Sequence, residues 1–138
     1  MSEQIRPRKT PCATCPFRRG SSQAVWDRSE YEKLERYDGD IADQTATGVF
    51  LCHLQDGCAC SGWLGHRDPA EMLAVRLAIV SGHLAPESLD YSTDVPLFSS
   101  GREAAEHGMT NYTTPGPEAV ASIEKLLRLG KLRERASD

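Results

Sequence analysis

Five cysteines, all within the first 60 of 138 residues, are spaced as Cys12-x2-Cys15 and then Cys52-His53-x4-Cys58-x-Cys60. Thiolate and imidazole are the side chains that hold zinc or iron–sulfur clusters, and a C-x2-C knuckle lets two sulfurs converge on one ion from a single tight turn. The pattern reads as one metal site assembled from two distant pieces of chain. An odd cysteine count argues against a disulfide framework, which would leave one thiol unpaired. A thioredoxin-like C-x2-C needs a strand before it and a helix opening from it. Neither pattern is visible around TPCATCPFRR.

Pro11 and Pro16 stiffen both flanks of the first knuckle and limit the entropy lost when it closes. The second segment contains no further C-x2-C, so Cys52, His53, Cys58 and Cys60 compete for the remaining positions. Side chains at i and i+1 point in opposite directions along extended backbone, so Cys52 and His53 are not expected to bind one ion together. Softness favours Cys52. Cys58 and Cys60, two apart, face the same side of an extended segment.

These residues resemble an uncharacterised domain family of actinobacteria and their bacteriophages. The likeness rests on PCATCPFRR (Cys12, Cys15, Pro16, Phe17, Arg18), on Cys52-His53, and on Cys60-Ser61-Gly62-Trp63-Leu64. DYSTDVPLFSSGREAAEHGM is similar to the family's second block, so the resemblance covers most of the chain from Pro11 onward. It implies Cys12, Cys15, Cys52 and Cys60 as ligands, with His53 as an alternative or a supporting group. It assigns no reaction, and its phage association points to a protein partner of unspecified identity. Cys58 matches nothing in the pattern and is read as a spare thiol, a small buried hydrophobe.

Four thiolates suit tetrahedral zinc, and they also suit a [4Fe–4S] cluster. The spacing from Cys52 to Cys58, followed by SGWLG, is loosely similar to the iron–sulfur regulators of actinobacteria, whose order of cysteines differs. His66, His83 and His107 are expected to be surface or capping groups. Arg18 and Arg19 read as a solvated pair, Trp26 as a core aromatic, and Trp63 as part of the apolar shell that shields a metal centre from water.

The elements that must position these groups come from ordinary composition: 39% hydrophobic, 26% charged and a formal net charge of −4. A generic nucleic-acid binder is more basic. No apolar run is long enough to span a bilayer and no signal peptide precedes the domain, so a cytoplasmic protein without a membrane partner is expected. Ser29 and Glu32 fit a capping box for a short helix that buries Tyr31 and Leu34. Val49, Phe50 and Leu51 form a short strand that delivers Cys52, and Asp56-Gly57 turns the chain. A core helix, apolar nearly all round, starts at Asp68-Pro69 and runs through MLAVRLAIV to Gly82. Another starts near Pro117 and carries Val120, Ile123, Leu126, Leu127 and Leu129, a stripe expected to pack on the first. Residues 86–116 read as a long loop with a short helix after Ser99-Ser100.

Together these features predict an α+β, mainly helical, single small domain over residues 11–130. A flexible basic arm over 1–10 precedes it and a frayed tail over 131–138 follows. The expected function is a small metal-binding protein whose structural zinc site supports a binding or regulatory module. An iron–sulfur protein in redox chemistry or oxygen sensing is the first alternative. A zinc module binding nucleic acid through the basic arm is the second. No hydrolase elbow, phosphate loop or zincin motif occurs, so no catalytic residue is assigned.

Overall fold

The computed structural model describes residues 4–132. Its fold is α+β, with five α-helices among the described residues set around a very small sheet. Strand β1 (Arg6–Pro7) runs parallel to β2 (Cys58–Ala59), with Arg6 opposite Cys58 and Pro7 opposite Ala59. On the other side of β2, Leu51 makes an antiparallel bridge to Ala59, and Ile5 pairs with Leu84. Pro7 is tolerated because its strand is short and lies at an edge, where a missing N–H costs little.

Within the stretch expected to form a flexible arm, residues 1–10, Ile5 and Arg8 are hydrogen-bonded to distant parts of the chain. Ile5 donates to the His83 carbonyl at 2.7 Å, and Arg8 donates to Ala59 at 3.1 Å. These ladders pin the chain before the knuckle begins. Residues 1–3 and 133–138 lie outside the described residues. Of the tail expected to fray from 131, Lys131 donates back to the Leu126 carbonyl at 2.9 Å and Leu132 is buried.

Helix α1 (Arg28–Leu34) buries Tyr31 and Leu34 as their spacing predicts, but its cap is Asp27 rather than Ser29. The Asp27 carboxylate accepts from the Ser29 N–H at 3.0 Å, and its acceptor oxygen also holds the Ser29 hydroxyl at 2.6 Å. A carboxylate at the cap outcompetes a hydroxyl two positions into the helix. Helix α4 (Gly101–Met109), capped by Ser100, packs across α1 through two glycines. A Cβ at Gly101 would stand 1.9 Å from the Leu34 carbonyl oxygen, and one at Gly108 would stand 2.1 Å from the Tyr31 ring. Only glycine lets the two backbones approach this closely.

The helix expected from Asp68 to Gly82 is broken. Asp68 caps a single 3-10 turn, Pro69–Glu71, then Met72 is extended at φ −104°, ψ 123°, and α3 covers Leu73–Val80. The cause is Gln44, a buried side chain from a distant loop. Its amide donates to the Glu71 carbonyl at 2.8 Å and its carbonyl accepts from Leu73 N–H at 2.8 Å. Backbone groups that a continuous helix would satisfy internally are satisfied from outside, and the break costs no unpaired donor.

Nor is α3 buried all round: Met72, Ala74 and Val75 enter the core, while Leu77 is 46% and Val80 88% exposed. Helix α5 (Pro117–Arg128) ends at Gly130 as expected, yet it buries only Ala119 and Leu126 fully and leaves Val120, Leu127 and Leu129 exposed. Its stripe is thus not the tight seam against α3 that the pattern predicts. Among the described residues no helix is long and apolar enough to cross a membrane.

Candidate metal centre

The first knuckle is a run of consecutive turns. Cys15 N–H donates to the Cys12 carbonyl at 3.1 Å, Arg18 to Cys15 at 3.0 Å, and Ser21 to Arg18 at 3.1 Å. Arg18 closes the loop on itself by donating from Nη1 to the Pro11 carbonyl at 3.1 Å, so it is not a free surface cation. The winding favours charge on sulfur: the backbone N–H groups of Phe17, Arg18 and Gly62 lower the Cys15 thiol, and Cys12 Sγ lies 3.8 Å from the Thr14 hydroxyl. Charged acceptors gain most from such donors.

The second piece is a hairpin arm. Cys52 N–H donates to the Cys58 carbonyl at 2.9 Å and Cys60 N–H to the Phe50 carbonyl at 2.8 Å, around the Leu51–Ala59 bridge. Of the strand expected over Val49, Phe50 and Leu51, only Leu51 pairs, in that single bridge, while the expected turn at Gly57, φ +77°, is present. Cys60 then caps α2 (Ser61–Gly65), accepting from Trp63 N–H at 3.4 Å. The two pieces meet where Cys15 Sγ lies 3.5 Å from Cys60 Sγ. At that separation the sulfurs are unbonded, and all five cysteines are free. Gly62 makes the meeting sterically feasible, because a Cβ there would stand 2.2 Å from Cys15 Sγ.

Electrostatics differentiates the thiols. The Cys60 contact, followed by the backbone donors, pulls Cys15 below the ordinary thiol range despite its burial. Cys60, in hydrogen-bond contact with Cys15 and fully enclosed, is pushed well up. Cys12 is raised to about 11, mainly by burial and then by the charges of Cys15 and Cys52. Cys60 likewise feels Cys15 and Cys12. The sulfurs of Cys12, Cys15, Cys52 and Cys60 thus share one electrostatic neighbourhood, although among the described residues no three His, Cys, Asp or Glu side chains stand grouped closely enough to hold a metal ion.

His53 is turned to one side. Its Nε2 lies 2.8 Å from Glu30 Oε2, and its ring lies against Trp26 at 4.4 Å and Phe50 at 5.4 Å between centroids. Hydrogen bonding from His53, helped by Lys33, holds the Glu30 carboxyl down at about 2. Trp26 also donates Nε1 to the Thr14 carbonyl inside the knuckle at 2.7 Å, so one indole clamps both halves. Cys58 is half-buried, not the enclosed hydrophobe expected.

His66 departs furthest from expectation. It is 7% exposed, lies 4.4 Å from the Phe17 ring centroid, and burial lowers its pKa to about 4. Its Nδ1 contacts the Trp63 carbonyl, while its Nε2, the Trp63 indole N–H and the Ser61 hydroxyl are buried with no partner among the described residues. His83 meets the Ser81 hydroxyl at 2.7 Å, and His107 Nε2 meets the Ser21 carbonyl at 2.9 Å. Trp63 is fully enclosed and packs edge-on against Tyr37 at 5.2 Å. That position suits the shielding expected of it.

Trp26, Glu30 and Gly62 have no signal in the cysteine spacing. Gly62 alone had a local clue, since its place two residues after a cysteine and at a helix start is where backbone meets sulfur. No curated protein and no solved structure matches the chain. Residues 7–131, which hold every cysteine and both sides of the sulfur contact, match a family of unknown function, DUF6283. The chain belongs to that family.

Proposed function

We propose that this protein is a small metal-binding module in which Cys12, Cys15, Cys52 and Cys60 hold one zinc ion that staples the knuckle to the hairpin. The contact between Cys15 and Cys60 carries the reading. Two thiolates on one tetrahedral zinc, with bonds of about 2.3 Å, have sulfurs about 3.8 Å apart, and these stand at 3.5 Å. In a [4Fe–4S] cluster each cysteine sits on a different iron, and the sulfurs are held further apart than a shared ion requires. The spacing therefore favours a mononuclear ion over a [4Fe–4S] cluster.

The donor set fits zinc on chemical grounds as well. Burial and neighbouring sulfur charge raise Cys12 and Cys60, which is the penalty that a divalent cation among thiolates removes. Backbone N–H groups of Phe17, Arg18 and Gly62 stabilise charge on Cys15. Trp26 fixes the Thr14 carbonyl and the His53 ring relative to each other. Cys12 and Cys52 complete the set by closing on the Cys15–Cys60 pair. Zinc would supply a cross-link between residues 12–15 and 52–60 and contribute folding free energy directly.

The role is structural support for a binding or regulatory surface rather than catalysis. A nucleic-acid partner is less well supported, because Arg6, Arg8, Arg18 and Arg19 already have partners within the chain. Metal analysis and a visible spectrum on protein purified without oxygen test the reading. One zinc per chain and no visible absorbance are expected. Iron with sulfide and a broad visible band would replace the proposal with redox chemistry, and metal-free protein would sink both.

A further inference from the structure

A four-thiolate site leaves Cys58 without a role, and the hairpin supplies one. The Leu51–Ala59 bridge and the 2.9 Å bond from Cys52 N–H to the Cys58 carbonyl set Cys52 directly opposite Cys58. Opposed residues at such a position have Cα atoms about 5.5 Å apart and side chains on one face. A disulfide spans Cα separations of about 4.4–6.8 Å. The Cβ atoms, about 5 Å apart in a ladder pair, need to close only to about 4 Å. The pair lies at the end of the ladder, beside a turn through Gly57, where closure meets least resistance.

Exposure singles out the same two thiols. Cys12, Cys15 and Cys60 are buried, and Cys52 and Cys58 are the two that solvent reaches. Cys15 and Cys60 also approach each other, but at 1% and 4% exposure they are closed to an oxidant.

We propose that Cys52 and Cys58 form a reversible disulfide under peroxide, and that the bond withdraws Cys52 from the metal site. The second half of this statement rests on the zinc reading above; the first does not. One thiolate of the pair attacks a peroxide oxygen, the O–O bond breaks, and a sulfenic acid and one water result. The other thiolate attacks the sulfenic sulfur, the S–O bond breaks, the S–S bond forms, and a second water leaves. Two thiols have then lost two electrons and two protons, and hydrogen peroxide has been reduced to two waters.

The test uses the whole, zinc-loaded chain treated with graded hydrogen peroxide, then alkylated and mapped by mass spectrometry. Cleavage before Asp56 separates Cys52 from Cys58. Loss of two alkylatable thiols, a Cys52–Cys58 link, zinc release, and recovery of thiols and zinc binding with a reductant are expected. Cys58→Ser should hold zinc normally, form no such link, and release zinc under peroxide about threefold more slowly or less, because its oxidised Cys52 has no nearby thiol to complete the bond. A Cys15–Cys60 link, or five thiols still free, overturns the disulfide. A Cys52–Cys58 link formed with zinc fully retained overturns the coupling. Should the protein hold no zinc, the zinc reading and the coupling both fall, and the same mapping on the metal-free chain still decides the disulfide.

Discussion

The knuckle at residues 11–18 and the hairpin at residues 50–60 deliver sulfur to one place by different means. In the knuckle, successive turns and the Arg18–Pro11 bond fix the loop, and neighbouring backbone N–H groups favour charge on its sulfurs. In the hairpin, only Cys60 has that treatment, through Trp63 N–H, while Cys52 and Cys58 remain half-exposed. One side is thus a preorganised anchor and the other an adjustable arm held by ring contacts to His53. A cysteine site needs rigidity on one side only, provided the other side can close.

The largest expected effect breaks this comparison at its ends. Cys15→Ala should abolish zinc retention and cost about 4 kcal/mol, which for a domain of this size is a fall in Tm of roughly 10 °C or more. Cys52→Ala should cost less than half as much, because its side chain is half-exposed. Equal losses measured by calorimetry with parallel zinc analysis would show that the hairpin is no less fixed than the knuckle.

Acid should separate the two regions next. Behind the knuckle, His66 has a folded pKa of about 4 against an ordinary 6.5. The unfolded chain takes the proton first, so stability is lost as pH falls from 6.5 to 4, by at most about 3 kcal/mol. Beside the hairpin, Glu30 has a folded pKa of about 2 against 4.5, so its contribution is present above 4.5 and lost only below it, down to about 2. Denaturation curves of the metal-free chain should therefore weaken first in the upper window. His66→Phe should flatten that window and leave the lower one intact.

Two glycines offer a finer comparison. Gly62→Ala drives a Cβ to 2.2 Å from Cys15 Sγ, which should cost about 2 kcal/mol by overpacking and weaken zinc binding. Gly57→Ala, with open space around it but φ of +77°, should cost about 1 kcal/mol through backbone strain alone and leave zinc affinity unchanged. The smallest effect belongs to Glu30→Gln. It removes the anionic partner of His53 and should cost under about 1 kcal/mol, with Cys52 alkylating faster as the arm loosens.

Local chemistry was readable in the sequence where the signal is local. The knuckle, the turn at Gly57, the cap at Ser100 and the end of α5 at Gly130 each depend on residues within a few positions, and each appears. The failures come from distant side chains. Gln44 breaks the helix at Met72 from 28 positions away, and no periodicity of MLAVRLAIV reports it. Apolar pattern overstated the burial of α3 and α5 because a small domain lacks the elements to cover every apolar face. His66 looked like a surface cap because its burial is made by Phe17, nearly fifty residues earlier. At the candidate site, spacing drew attention to the cysteines but was silent on Trp26 and Glu30, whose contacts exist only after folding.

The parallel pairing of Arg6–Pro7 with Cys58–Ala59, together with the Ile5–Leu84 bridge and the Arg18–Leu97 bridge, also sets a schedule. During synthesis the knuckle emerges first, but β1 has no partner until residue 59 is available and Ile5 none until residue 84. Contacts so far apart in the chain make for slow closure. The young polypeptide therefore presents a pair of unshielded thiols long before it owns the walls that enclose them, and its vulnerable period is its own translation.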